Sequence, residues 1–365
     1  MQHIQEIDID SFRGIDSLKL SNLAQINILT GDNNCGKTSV LEVLESFRQP
    51  DDMIMWDSLT RRYVYGRTGI SSYEGIYNLF NINLDEKKIQ YTLKTKDKDI
   101  TLMIYAKELK EQLLETEYYK LIGYSSRNLY DNKEEIESNI EVSKLEIEIK
   151  LNERVIENKV IYEGQNSILR GVIKRNLELR QNIVYISPMH HVTGNIFLSE
   201  VLDNPELYEE MLTILKEYDE DIISINYDNN RMGNGVYKIL SKSHKKALPL
   251  NVYGDGMKKA VLLMSAVVKA KDGVLLLDEF ETAIHTSAMK QTFKWILETC
   301  KKLNVQVFMT SHSKEAIDKV LKCAPDLWND MAIYTLYKND TKMSVRRLDA
   351  IKAIEVQDEM GLELR

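Results

Sequence analysis

Gly31-Asp32-Asn33-Asn34-Cys35-Gly36-Lys37-Thr38 reads G-x-x-x-x-G-K-T, and its neighbours decide how the stretch is to be taken. The apolar run from Ile26 to Leu29 predicts a buried strand before it, and the pattern from Ser39 to Phe47 predicts a helix after it. A glycine-rich turn between a strand and a helix start presents backbone N–H groups and the positive end of the helix dipole to anionic oxygens. Asn33, Asn34, Gly36, Lys37, Thr38 and Ser39 are therefore expected to surround the phosphates of a nucleoside triphosphate. Lys37 would neutralise their charge and the Thr38 hydroxyl would ligate the metal, so ATP and Mg²⁺ are the implied ligands.

Two later stretches fit the same chemistry. Gly273 is followed by Val274, Leu275, Leu276 and Leu277 and then by Asp278-Glu279, a strand apolar on both faces that delivers two carboxylates at its carboxyl end. In phosphoryl transfer on such a frame the first carboxylate, Asp278, holds the metal and the second, Glu279, acts on the attacking water. Val305 to Met309 predicts another buried strand, ending in Thr310-Ser311-His312-Ser313, where His312 can reach the γ-phosphate as a donor. Each string alone is an ordinary strand with a polar tip; three in this order at strand ends point to one site.

Composition sets the frame. The 365 residues are 43% hydrophobic and 28% charged, as in an ordinary globular protein with one large core or two moderate ones. No apolar run approaches the roughly 20 residues needed to cross a bilayer, and Met1-Gln2-His3-Ile4-Gln5-Glu6 lacks a basic-then-apolar leader, so a cytoplasmic location without membrane contact is expected. Cys35, Cys300 and Cys323 lie far apart without metal spacing, which fits a reducing compartment. The formal net charge of -8 argues against a strongly basic nucleic-acid binder. Lys242, His244, Lys245 and Lys246, and Arg346-Arg347, are the densest basic clusters and read as solvated surface.

Along the chain, Ile4, Ile7, Ile9, Phe12, Ile15, Leu18 and Leu20 alternate like a hairpin. The helix after Thr38 buries Val40, Leu41, Val43, Leu44 and Phe47 and stops at Pro50. From Ile89 to Ile161 the period becomes two, as in antiparallel strands with one wet face. Within it, Lys107 to Asn139 is rich in Glu, Lys, Tyr and Asn and predicts an exposed helical or partly ordered insertion, with no lasting heptad. Helical patterns follow over Leu198 to Ile223 and from Tyr253-Gly254-Asp255-Gly256 into Ala270, then over Lys314 to Leu321, and a hairpin turns at Asn339-Asp340. The expected organisation is one bilobed unit. Residues 1–90 and 180–330 form its nucleotide core, 90–180 a β-rich subdomain, and 330–365 a terminal hairpin dispensable for the nucleotide site.

Phe12-Arg13-Gly14, Gly31 to Thr38, Asp278-Glu279-Phe280-Glu281-Thr282-Ala283-Ile284-His285 and Thr310-Ser311-His312-Ser313 together resemble the ATP-binding-cassette-type ATPase head. More narrowly they resemble the branch of RecF, the chromosome-structuring (SMC) ATPases and the overcoming-lysogenisation-defect (OLD) ATPases. The likeness covers roughly residues 1 to 50 and 180 to 325. It implies an α/β P-loop NTPase head with a mixed, mostly parallel core sheet and an antiparallel β subdomain. It also implies a homodimer or higher homo-oligomer in which ATP is sandwiched between the Walker loop of one head and the signature loop of another. Gly254 and Gly256 occupy the signature position, with Asp255 present and the family's serine donor missing; Glu281 and His285 fall where the family meets across the seam. A glutamine that contacts Mg²⁺ is also implied, and Gln90 is the nearest candidate.

The resemblance implies a regulatory ATPase of a bacterial anti-phage or toxin-control system that acts on a separate effector protein. Only residues 313–365, 53 in all, follow His312, so a C-terminal TOPRIM nuclease of the OLD type is expected to be absent. The Lys107 to Asn139 insertion and the hairpin after Pro325 are the expected partner surfaces. A RecF-like repair ATPase that binds DNA is the alternative, with the Glu279-x-Glu281 continuation, His285, His312 and the missing serine against it. A transporter subunit is disfavoured by Phe12-Arg13-Gly14 and the strand-rich middle, and a module that only binds ATP by Glu279.

Overall fold

The computed structural model describes residues 3–60, 70–123, 138–166, 168, 177–190, 196–229, 235–282, 286–339 and 342–359. The chain opens with an antiparallel hairpin, β1 (Ile4–Ser11) and β2 (Leu18–Ser21), and continues into β3 (Ile26–Gly31) and helix α1 (Lys37–Ser46). The hairpin does not join β3. It pairs through β1 with β4 (Lys88–Thr95), which is followed by β5 (Asp99–Leu114), β6 (Asn139–Leu151) and β7 (Arg154–Tyr162) in an antiparallel sheet of order β2-β1-β4-β5-β6-β7. Alternation along β4, with every second residue buried, gives this sheet one inner face. Ile89, Tyr91, Leu93, Leu102, Ile104, Leu145, Ile147 and Ile149 line it and share a hydrophobic cluster with Val40, Leu41 and Leu44 of α1.

β3 lies in a second six-stranded sheet with β8 (Ile183–Ile186), β12 (Val274–Leu277), β13 (Gln306–Thr310), β14 (Met331–Asn339) and β15 (Lys342–Asp349), ordered β15-β14-β3-β13-β12-β8. Its pairs are parallel except for β14–β15. Every residue of β3, β12 and β13 is buried, because both faces of the sheet are covered. Ile26, Ile28, Leu275, Leu277, Val307 and Met309 belong to the cluster formed with helices such as Asp255–Lys269 and Lys314–Cys323, whereas Leu29, Val274, Leu276 and Phe308 belong to the cluster around α1. A small sheet of β9 (Ile222–Asn229), β10 (Gly235–Ser241) and β11 (Leu248–Pro249) precedes the Gly254 turn. No helix among the described residues is long and apolar enough to cross a membrane.

Two expectations are corrected here. Lys107 to Leu114 is not helical but continues β5, in register with β6 as far as Leu114 opposite Asn139. Its dense charge is held across the ribbon by Lys110 on Glu141 and Lys144 on Glu111, so a pattern that reads as a solvated helix is a two-sided strand. Only Glu115–Leu121 is helical, and residues 124–137 lie outside the described residues. The hairpin after Pro325 is not an appendage either: β14 pairs with the whole of β3, Met331 opposite Ile26 through Leu336 opposite Gly31, and helix Ala350–Glu359 follows β15. The turn at Asn339-Asp340 reaches Asp340, which is outside the described residues.

Arg13 gives the Phe12-Arg13-Gly14 string a physical role. It adopts φ 52° and donates to both carboxylate oxygens of Glu42 at 2.8 and 3.1 Å and to the Leu59 carbonyl at 3.1 Å. Glu42 is completely buried in α1, so the forked pair ties the N-terminal hairpin to the helix behind the glycine loop.

Candidate functional site

The loop that ends β3 is shaped by three residues with positive φ: Gly31 at 132°, Asn34 at 63° and Gly36 at 87°. A side chain at Gly31 would place its Cβ 2.0 Å from the Leu336 carbonyl oxygen, so glycine there is demanded by the neighbouring strand as well as by φ. Gly36 is the N-cap of α1, and first-turn N–H groups have no acceptor within their helix. Asn33 and Asn34 are exposed at the tip, and Ser39 is half-buried in the first turn.

Lys37 is buried, and its ammonium donates to the carbonyls of Gly31 at 2.8 Å and Asp32 at 2.7 Å. Burial pushes its pKa below the ordinary lysine value, opposed by nearby Cys35, Asp278 and Asp32.

Asp278 is the point where four segments meet. Its Oδ1 accepts from the Thr310 hydroxyl at 2.6 Å and the Thr38 hydroxyl at 3.2 Å, and its Oδ2 accepts from the Tyr185 hydroxyl at 3.2 Å. The donors come from β13, α1 and β8. Adjacent parallel strands bring their carboxyl ends to one edge of the sheet, and the helix start comes to the same edge.

Next along the chain, Glu279 has φ 48°, and its N–H donates to the Thr310 hydroxyl at 2.8 Å. Its carboxyl is pushed above the ordinary glutamate range, first by burial and then by Asp278 and Glu281, with Lys37 opposing. Glu281 accepts the His312 N–H at 2.7 Å and thereby ties the loop after β12 to the loop after β13.

The structure thus brings Lys37, Thr38, Asp278, Glu279 and His312 to one edge of the sheet. Gly254 and Gly256 stand elsewhere, at the start of helix Asp255–Lys269, where the Gly254 carbonyl accepts from Met257 and Lys258. His285 lies outside the described residues. Gln90, the candidate for the metal-contacting glutamine, sits within β4 and donates to Asp10 at 2.5 Å. Sequence reading missed Tyr185 and gave Thr310 no role. Nothing in an apolar four-residue strand marks Tyr185, and Thr310 shows itself only through its two partners.

These residues fit a magnesium nucleotide. A hydroxyl and a carboxylate, oxygen donors suited to a hard cation, stand together beside a left-handed glycine cradle and a buried ammonium.

The fold is that of the SMC and ATP-binding-cassette-type ATPase heads. An SMC head solved in complex with the C-terminal winged-helix domain of ScpA shares the fold at TM-score 0.52 and 13% identity, covering 97% of this chain and 99% of that one. The chain belongs to the AAA family described as "AAA domain, putative AbiEii toxin, Type IV TA system", whose model matches residues 26–318. It is similar to an ATP/GTP phosphatase of Helicobacter pylori, 25% identical over 92% of this chain and 93% of the relative. It is also similar to the DNA replication and repair protein RecF of Clostridium acetobutylicum, 23% identical over 55% of this chain and 65% of that protein.

Proposed function

We propose that this chain binds ATP with Mg²⁺ and hydrolyses it slowly, as a regulatory switch that closes as a homodimer around nucleotide. The observation that carries the reading is the convergence of Thr38 and Thr310 on one oxygen of Asp278, beside the buried Lys37 ammonium. Thr38 and Asp278 would hold the metal, which when bound neutralises charge on the transferring phosphoryl group. The amides of Asn33, Asn34, Gly36, Lys37, Thr38 and Ser39 bind the phosphates, and Lys37 turns its ammonium from the loop carbonyls to them. Glu279 takes the proton of the attacking water; burial, with Asp278 and Glu281 nearby, holds its carboxyl above the ordinary range, which makes it a better base. His312 donates to the γ-phosphate.

The name of the Helicobacter pylori relative, an ATP/GTP phosphatase, supports triphosphate hydrolysis. Gly254, Gly256 and His285 would complete the site across the dimer. The toxin–antitoxin wording of the family description supports a role in anti-phage defence or toxin control through a separate effector, and an SMC head that binds ScpA offers a precedent for a protein partner. Likeness to RecF favours a second reading, a repair ATPase that acts on DNA.

Glu279→Gln should retain ATP binding, lower turnover by about 100-fold or more, and sediment as a dimer with ATP. Lys37→Ala should lose binding and turnover together. Wild-type turnover in Glu279→Gln would remove Glu279 as the base, and a fully active monomer would remove the dimer. Co-purification with an effector, as against ATPase stimulation by DNA alone, separates the two biological readings.

A further inference from the structure

We propose that Tyr185 is a positioning residue for the metal-holding carboxylate of Asp278; the inference rests on the metal assignment above. β8 is the edge strand of the core sheet, with Tyr185 in register with Leu276, so its carboxyl end lies beside that of β12. Tyr185 is the single polar side chain in a strand otherwise made of Ile183, Val184 and Ile186. Its hydroxyl donates to Oδ2 of Asp278, whereas Thr38 and Thr310 both donate to Oδ1. The terminal torsion of an aspartate is broad and roughly two-fold, so donors to one oxygen leave the carboxylate free to rock about it. A donor on the second oxygen removes that freedom and presents the group to the cation in one orientation.

The ring needs bracing, because a cavity of about 910 Å³ between α1 and β8 opens beside it, lined by Glu45, Arg48, Arg180, Tyr185 and His190. His190 supplies the brace. Its ring meets Tyr185 edge-on at 6.3 Å and 82°, and its Nδ1 accepts the Ser187 N–H at 3.0 Å, which fixes the imidazole one turn past the strand end. Ser187 and His190 thus hold the ring, the ring holds the hydroxyl, and the hydroxyl holds Asp278. Thr310 differs, since it bonds both Asp278 and the Glu279 N–H and its loss would disturb metal and base together.

Tyr185→Phe deletes the hydroxyl and keeps the ring. The test is made in a Glu279→Gln background, where binding is read without turnover: ATP affinity is measured in EDTA, and Mn²⁺ is titrated into the ATP complex and followed by electron paramagnetic resonance. The expected result is unchanged ATP affinity in EDTA and Mn²⁺ binding weakened roughly 10- to 100-fold, the usual consequence of losing a group that orients a metal ligand. Unchanged Mn²⁺ affinity overturns the role of Tyr185 while leaving the magnesium-nucleotide reading intact. A parent protein with no ATP-dependent Mn²⁺ site overturns both. Should Tyr185→Phe fail to fold, His190→Ala, which spares the hydroxyl and removes the brace, must weaken Mn²⁺ by a smaller factor; full affinity there overturns the proposal equally.

Discussion

The two six-stranded sheets share α1 and one hydrophobic cluster, yet they dispose of polar side chains in opposite ways. In the core sheet β3, β12 and β13 are buried throughout, so chemistry is forced to the strand ends, where Asp278, Glu279 and Thr310 meet Thr38. In the antiparallel sheet β4 has one wet face and the β5–β6 ribbon two, and charge is spread along the strands as pairs such as Lys110–Glu141, Lys144–Glu111 and Lys150–Glu148. A parallel strand covered on both faces admits a polar side chain such as Asn27 or Gln306 only where hydrogen bonds satisfy it and gathers its charged groups at the carboxyl edge, whereas a strand with a wet face disperses them. The first arrangement can build a site with no tolerance for added volume, and the second tolerates change.

Adding one methyl group to the core sheet is the severest way to test this contrast. Gly31→Ala places a Cβ against the Leu336 carbonyl at a φ that alanine resists, and should cost roughly 3 kcal/mol or more and abolish nucleotide binding. Urea denaturation and a fluorescent-nucleotide titration read both effects; wild-type values would show that β14 yields and that the sheet is not rigid at its functional edge.

An intermediate effect is expected in α1, on the cluster that the two sheets share. Burial pushes the Glu45 carboxyl up to about 7, against Arg48 at 2.6 Å. Because the folded value lies above the ordinary 4.5, the contribution of Glu45 to stability is complete below about pH 4.5 and is lost as pH rises through 7. Thermal unfolding of Glu45→Gln between pH 5 and pH 8 should therefore fall less steeply than wild type, by roughly 2–3 kcal/mol over the interval. Parallel curves would show that Glu45 is solvated and that the junction is looser than its packing implies.

The smallest effect belongs to the wet ribbon. Lys110→Ala breaks an exposed pair with Glu141 and should move the thermal midpoint by less than about 2 °C. A larger drop would mean that the β5–β6 ribbon is held by its charges and not by its backbone ladder.

What the sequence determined by itself was local. The glycine loop, the buried strand that ends in Asp278-Glu279, the strand that ends in His312 and the period-two middle are all written within a dozen residues of themselves, since apolar spacing reports burial directly. The ribbon from Lys107 to Leu114 was misread for the same reason: alternating Glu and Lys look alike on a solvated helix and on a strand wet on both sides, and only the partner strand Asn139–Leu151 distinguishes them. Tertiary structure alone decided which ends meet. Thr38 lies 240 residues from Asp278, Tyr185 lies 93 from it, and β14 reaches Gly31 from the far side of the chain. Strand order is set by crossovers that bury both faces of the sheet at once, a property of the whole core that no short window contains.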